Sequence, residues 1–338
     1  MNKVELGKTG VFVSQASLGC MLMGSVIDRK DSFTALDRFV EIGGDFLDTA
    51  NCYAWWIGKG EFIGDESETI LGQWMKARGN RNRVFLATKV GARLRNPRAI
   101  RDGDGNVFWD RVEADREFLA PQVIRRGVED SLRRLQTDYI DLYYAHIDDR
   151  VTPLEETLST FDALINEGKV RYIGCSNFRT WRLERANQIS KTYSGAGFVA
   201  IQQQYSYLHP KAGADFGVSV NVDDELLDYL KSNEEVTLLP YSPLLKGIYD
   251  DEKKREAYYN WHLFNNDDAR ARLKVLSGMA KELNISNNQL VLAWLFHHQP
   301  RTIPILGFSS LDQLDHNLKA LDVSLSEEQM SILNKTSA

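Results

Sequence analysis

Short apolar runs alternate with amphipathic stretches along the whole chain. FLDTA (46–50) reads as a strand ending in a polar turn. VFLATKV (84–90), YIDLYYAH (139–146), VRYIGCSN (170–177), VAIQQQY (199–205), VTLLPYS (236–242) and RTIPILG (301–307) read the same way. ASLGC (16–20) is a weaker first strand, which makes eight. Helical patterns fill the gaps. In 32–42, Phe33, Leu36, Phe39 and Val40 make an apolar stripe, and GGD at 43–45 ends it. Residues 121–135 open on Pro121 and align Val123, Ile124, Val128, Leu132 and Leu135. Residues 152–168 are expected to begin with Thr152 as cap, Pro153 in the first turn and Glu155 as capping-box partner, and to close at Gly168. Further helices are expected at 178–191, 223–232, 268–283 and 286–298, with 309–321 the last before the tail.

Strands alternating with helices imply parallel pairing through right-handed crossovers. Eight such units in 338 residues predict an α/β fold, a single-domain (β/α)8 TIM barrel spanning 1–338. An open doubly wound sheet competes, but it is usually announced by a Gly-rich turn after the first strand, and LGCMLMG (18–24) is too loose for one. VELGKTGVFVSQ (4–15) reads as an N-terminal β-hairpin placed to plug the bottom of the barrel. No Pro/Gly/Ser-rich linker suggests a second domain.

A barrel of this kind carries its chemistry at the C-terminal strand ends. Asp48 closes strand two, with Tyr53 in the following loop; Lys89 closes strand three and His146 strand four. Each alone reads as a loop cap, a snorkelling ammonium, a packed ring or a structural imidazole. Together they suit proton donation to a carbonyl. A phenol is a poor acid at neutral pH, and a nearby ammonium favours its phenolate. A buried Lys89 needs Asp48 as counter-ion. His146 can hydrogen-bond the carbonyl oxygen. None of these groups is a hydride source, so a cofactor must supply it.

Composition narrows the alternatives. The formal charge of −6 argues against non-specific nucleic-acid binding. No apolar run approaches the roughly 18 residues that cross a bilayer. The start, MNKVELGKTG, lacks the apolar core of a signal peptide. Cys20, Cys52 and Cys175 are odd in number and widely spaced, which fits a reducing cytoplasm and no zinc site. His297 and His298 are adjacent on a helix and cannot face one metal. A glycosidase would need two carboxylates at strand ends, and Asp48 is the one clearly placed.

The chain resembles the aldo-keto reductase family. The stretches that carry the resemblance are FLDTANCY (46–53), ATKV (87–90), SLRRLQTDYIDLYYAH (131–146), GKVRYIGCSNF (168–178), YSPLLKG (241–247) and IPILGFSSLDQLDHN (303–317). The resemblance implies a nicotinamide-dependent reductase of aldehydes or ketones, without metal. It puts the catalytic tetrad on Asp48, Tyr53, Lys89 and His146, with Tyr53 the general acid and Lys89 and Asp48 lowering its pKa. It puts Ser176, Asn177 and Gln202 on the nicotinamide carboxamide and Tyr241 against the ring. Ser242, Leu244, Lys246 and Gly247 match the pyrophosphate loop, and Gly307, Ser309, Gln313 and Asn317 the adenosine end. A non-turnover relative that binds the cofactor as a sensor is the competing reading.

Three places depart from the family pattern. The segment 307–317 has no Arg or Lys for a 2′-phosphate, although Arg301 or Lys246 is available to compensate. NADP(H) is slightly favoured and NAD(H) is the rival. The loop 54–66 is long and sets Trp55 and Trp56 beside Tyr53. The excursion 92–118 contains DGDGN (102–106) and Trp109. Trp55, Trp56 and Trp109 are expected to wall a substrate pocket for a sugar, polyol or small polar ring compound. The segment 250–266 is either a cofactor lid or a surface excursion. The sequence does not give the oligomeric state.

Overall fold

The structure is a computed structural model that describes residues 1–193 and 197–335. Eight parallel strands follow one another around a barrel: β1 (Ser17–Gly19), β2 (Phe46–Asp48), β3 (Phe85–Val90), β4 (Ile140–Ala145), β5 (Val170–Ser176), β6 (Phe198–Gln204), β7 (Thr237–Tyr241) and β8 (Ile305–Leu306). β8 pairs with β1. The remaining seam, between β7 and β8, is closed by a parallel bridge from Leu238 to Thr302, where Ile303 N–H donates to Leu238 O at 3.0 Å. Seven of the eight strands lie within the ranges that alternation predicted, and β6 begins one residue earlier, at Phe198.

The helices of eight or more residues are α1 (Arg29–Glu41), α2 (Glu66–Arg78), α3 (Pro121–Leu135), α4 (Leu154–Asn166), α5 (Thr180–Ser190), α6 (Asp224–Ser232), α7 (Asp267–Leu283), α8 (Asn287–Phe296), α9 (Leu311–Leu318) and α10 (Glu327–Asn334). Two of these, α2 and α10, lie outside the expected set. The α2 stripe of Ile70, Leu71, Trp74 and Met75 is nonetheless helical in spacing, and all four are buried. The start of α4 also differs. Pro153 is its cap residue and makes no side-chain capping bond. The Thr152 N–H instead donates to Asp149 Oδ1 at 3.1 Å, so the turn before the helix supplies the acceptor that Glu155 would have supplied in a capping box.

Two apolar layers result. Leu6 and Val13 of the hairpin (Lys3–Glu5 paired with Phe12–Ser14) pack with Phe46, Phe85, Ala87, Leu142, Tyr144, Leu239 and Ile305 inside the barrel. The hairpin therefore plugs the bottom. Its turn comes so close to β7 that a Cβ on Gly7 (φ +55°) would lie 2.3 Å from Glu235 O. The second layer lies between strands and helices and includes Leu86, Val90, Tyr143 and Ala145. β3 and β4 are covered on both faces, which is why they read as near-continuous apolar runs.

Candidate active site

Strand alternation sets the site. Side chains two apart share a face. Phe46 points inward, so Asp48 follows it; Phe85 and Ala87 point inward, so Lys89 follows them; Leu142 and Tyr144 point inward, and His146 continues their row. The register places Asp48 beside Ala87 and Lys89 beside Tyr144. Three polar side chains thus emerge at one end of the barrel interior, from neighbouring strands.

Tyr53 completes the group from the loop after β2. The Lys89 Nζ donates to Asp48 Oδ1 at 2.5 Å, to Tyr53 OH at 2.6 Å and to Thr49 O at 2.7 Å. Three acceptors saturate the three ammonium protons. Lys89 is fully buried and Asp48 is 2% exposed. Gln202 Nε2 donates to the other carboxylate oxygen of Asp48 at 2.9 Å. The rings of Tyr53 and His146 stand edge to face with centroids 5.7 Å apart. The four sequence-predicted residues therefore form one connected cluster. Thr49 and Gln202 tie it together through the backbone of one strand end and the side chain of another.

The electrostatics of Tyr53 differ from the expectation that Lys89 and Asp48 lower its pKa. Burial, then the Asp48 carboxylate, pushes the phenol well above its ordinary value. Burial pushes the Asp48 carboxyl up as well, against the pull of Lys89 and the Gln202 hydrogen bond. The His146 imidazole is held well below its usual range by burial, then by Lys89 and Arg116, so the ring is neutral at neutral pH. Cys52, which sequence reasoning passed over, sets its Sγ 3.5 Å from His146 Nδ1. Burial pushes that thiol up to about 12, so it is protonated.

Next to the tetrad, the residues expected to hold a cofactor lie at and just beyond the C-terminal ends of β5, β6, β7 and β8. Ser176 ends β5 opposite Gln202. The Asn177 amide nitrogen donates to Ser176 Oγ at 3.1 Å and to His146 O at 3.2 Å, while its oxygen accepts from Tyr241 OH at 2.8 Å. Tyr241 ends β7 beside Gln204. Ser242, Leu245, Lys246 and Gly247 all adopt positive φ, which curls the backbone after Tyr241, and Leu244 is buried within that curl. Beyond β8, Gly307 faces open space. Ser309 donates through N–H and Oγ to Gln313 Oε1 at 2.7 and 3.0 Å, and Asn317 Nδ2 reaches Gly307 O at 3.5 Å.

These residues fit a nicotinamide dinucleotide. Gln204 Nε2 and Asn288 Oδ1 are buried polar atoms without a protein partner, and both lie beside them. Gln204 sits beside Tyr241, and Asn288 Nδ2 lies 3.8 Å from where a Cβ on Gly247 would be. Buried polar groups are normally satisfied, so these two are left free to bond a polar ligand there. The two proposed substitutes for a phosphate-binding cation fare differently. Arg301 precedes β8 and so lies toward the end of the barrel opposite the site, about 20 Å of extended chain from Gly307. It cannot serve the adenosine end. Lys246 is on the correct face, with its Nζ 4.6 Å above the Tyr259 ring. Tyr259 comes from the segment 250–266, which is anchored by the buried Tyr258 and Phe264 and by Lys211 N–H donating to Leu263 O at 2.8 Å.

On the other side of Tyr53, Trp56 stands edge-on to it at 6.3 Å, and Trp55 edge-on to Trp56 at 5.7 Å. Trp55 is 5% exposed, so it backs Trp56 and does not face the mouth. Trp109 is 66% exposed and tilts against Trp55 at 5.8 Å. Ser67 and Glu68, which follow the long loop, are structural. Ser67 Oγ donates to Cys20 O at 2.7 Å, and the fully buried Glu68 accepts from Thr88 Oγ1 at 2.5 Å and Arg134 Nε at 2.7 Å. Among the described residues no helix is long and apolar enough to cross a membrane.

A barrel with this site at its C-terminal mouth defines a class of oxidoreductase. The family model for the Aldo/keto reductase family matches residues 17–338, and the chain belongs to that family, whose members are NAD(P)-dependent oxidoreductases. It is 33% identical to the uncharacterized oxidoreductase YrpG of Bacillus subtilis (strain 168), over 99% of this chain and 95% of that one. It is 28% identical to an aryl-alcohol dehydrogenase [NADP(+)] of Phanerodontia chrysosporium, over 97% and 83% of the two chains. Among solved structures, the thermostable aldo-keto reductase Tm1743, crystallised with the inhibitor epalrestat, superposes with a TM-score of 0.70 at 27% identity, covering 99% of each chain.

Proposed function

We propose that the chain is a single-domain reductase that interconverts ring-bearing aldehydes or ketones with their alcohols, with Tyr53 as general acid and, in the reverse direction, general base. The observation that carries this reading is the Lys89 ammonium held between Asp48 Oδ1 and Tyr53 OH. A phenol oxygen that accepts from Lys89 keeps its own proton for another partner. The high pKa of Tyr53 keeps that proton on the phenol oxygen until a carbonyl oxygen gains charge. Lys89 then stabilises the phenolate left behind. Neutral His146 donates one ring N–H to the same oxygen and so orients the carbonyl. A nicotinamide cofactor, when bound, supplies the hydride.

The residues proposed to hold the cofactor are Ser176, Asn177 and Gln202 at the carboxamide, Tyr241 against the ring, Ser242, Leu244, Lys246 and Gly247 about the pyrophosphate, and Gly307, Ser309, Gln313 and Asn317 at the adenosine. NADP(H) is proposed as the cofactor, in line with the relative named an aryl-alcohol dehydrogenase [NADP(+)]. Discrimination against NAD(H) is expected to be shallow, because no cation stands in 307–317 and Arg38 is already paired with Asp315 at 2.5 Å. The substrate class follows from the wall. Ala50, Cys52, Ala92, Leu94, Ile100 and Ile147 form a buried apolar cluster with Trp55, and Tyr53 and Trp56 pack against it, a backing that favours a flat ring laid on Trp56 over a hydroxyl-rich sugar or polyol. The three buried free thiols suit work in the reducing cytoplasm.

Titration with NADPH and NADH separately, followed by tryptophan fluorescence, and then turnover of an aryl aldehyde, tests the reading. Tight NADPH binding with steady turnover supports it. A preference for NADH overturns the cofactor assignment alone. Binding without turnover favours a cofactor-binding sensor, and binding of neither removes the basis for the cofactor residues from Ser176 onward.

A further inference from the structure

The two stretches that lengthen the mouth of the barrel are one construction. Residues 100–108 form a small hairpin, with Arg101 bridged to Val107 and Phe108 N–H donating to Ile100 O at 2.8 Å. Its DGDGN tip is turned by Asp102, whose Oδ1 accepts from the N–H groups of Asp104 and Asn106 at 2.9 and 2.8 Å. The hairpin lies against the loop that follows Tyr53. Arg101 reaches across: Nη2 donates to Trp55 O at 2.5 Å, and Nη1 donates to Gly58 O at 3.0 Å and to Gly105 O. Arg98 adds a weaker tie, from Nε to Gly60 O at 3.1 Å.

Loop carbonyls have no ladder partner, and a planar guanidinium can satisfy several at once. Arg101 holds the backbone of Trp55, the ring of Trp55 backs Trp56, and Trp56 stands edge-on to Tyr53. A mechanical connection therefore runs from Arg101 to the aromatic face beside the proposed acid, while Arg101 itself makes no hydrogen bond to Asp48, Tyr53, Lys89 or His146.

We infer that Arg101 is a specificity-positioning residue: it clasps the two insertions into one rigid wall, fixes Trp56 one ring away from Tyr53, and thereby selects ring-bearing carbonyls over short aliphatic ones. The inference rests on the reading of the chain as a carbonyl reductase. A short aldehyde has no ring to lay on the wall and is indifferent to Arg101. An aryl aldehyde gains its extra binding there, in ground state and transition state alike, so the effect falls on KM and leaves kcat alone. Lysine carries its three donors on one nitrogen, so it cannot reproduce a fork in which Nη2 holds Trp55 O while Nη1 holds Gly58 O and Gly105 O.

The test uses the full chain with saturating NADPH, 2-naphthaldehyde and propanal as substrates, and the variants Arg101→Ala, Arg101→Lys and Arg98→Ala. Both Arg101 variants are expected to raise KM for 2-naphthaldehyde about tenfold or more, the scale of one charge-assisted hydrogen bond. Its kcat, the propanal constants and NADPH affinity should stay within about twofold, and Arg98→Ala should do less throughout. Equal losses for both aldehydes, no change in KM for 2-naphthaldehyde, or a fall in its kcat overturns the proposal. If Arg101→Ala fails to fold, Arg101→Lys carries the same comparison with the stem and charge retained. A wild-type chain inert toward both aldehydes overturns the parent reading and this one with it; an active wild type with unselective variants overturns this one alone.

Discussion

Lys89→Met separates the stabilising work of the buried ion pair from its chemical work. Methionine fills the lysine stem but leaves Asp48, 2% exposed, facing an apolar group on one side and Gln202 on the other. Keeping that carboxylate ionised without its partner costs about 3–5 kcal/mol. Protonating it instead costs about 4 kcal/mol at pH 7, taking an unfolded pKa near 3.9 and about 1.36 kcal/mol per unit. The second route caps the damage, and its cost falls to about 1.5 kcal/mol at pH 5 by the same arithmetic. The sign follows from proton counts. Burial already raises Asp48, and without Lys89 it rises further, so the folded variant holds a proton that the unfolded chain has released. The stability this contributes is complete below the unfolded value and is lost as pH climbs through the folded one. Loss of the ammonium also relieves one of the charges that keep His146 neutral, which acts in the same direction. Urea unfolding of both proteins at pH 5, 6 and 7 should therefore show a stability gap that narrows by about 2–3 kcal/mol toward acid, with equal m-values. A gap independent of pH, or one that widens toward acid, refutes the picture of Asp48 as a carboxylate held ionised by Lys89. Turnover should fall about 10²–10⁴-fold at every pH, because the phenolate loses its stabilising cation.

Three further outcomes are expected. Tyr53→Phe should lower kcat about 10²–10⁴-fold while NADPH affinity by fluorescence titration is retained, since only the transferable proton is removed. Cys52→Ala should raise KM for a carbonyl several-fold, roughly the worth of a weak hydrogen bond, with cofactor affinity unchanged, because the imidazole loses the partner 3.5 Å from Nδ1; an unchanged KM would show that His146 is oriented by other contacts. Glu68→Ala should destabilise the fold by about 3–5 kcal/mol in urea, because it strips the buried carboxylate from Arg134 and Thr88.

The catalytic strand ends were legible because β-strand alternation is local. FLATK and LYYAH each carry two apolar side chains two apart followed by a polar one in the same row, FLD carries one, and the barrel interior makes that row meaningful. The helix Glu66–Arg78 was equally local, and its stripe of Ile70, Leu71, Trp74 and Met75 could have been found. The cap of α4 failed for the opposite reason: a Thr-Pro-x-Glu string satisfied the local pattern, but Asp149, outside that string, took the N–H group of Thr152.

What stayed hidden depends on contacts between segments distant in sequence, and on burial. Trp55 could be seen to lie near Tyr53 in the chain, yet not to be sealed behind Trp56, since that requires Arg101 to close on its carbonyl across 46 positions. Arg301 is six residues before Gly307 in sequence, but the parallel strand between them carries it to the opposite end of the barrel. The phenol of Tyr53 makes the same point in energy. A list of neighbours, one ammonium and one carboxylate, suggested a lowered pKa, but the carboxylate is the wrong sign for a phenolate and burial opposes any charge there. The site is thus built to keep its proton at rest. The ammonium bonded to the phenol oxygen matters after the proton has left, and the carboxylate matters by holding that ammonium in place.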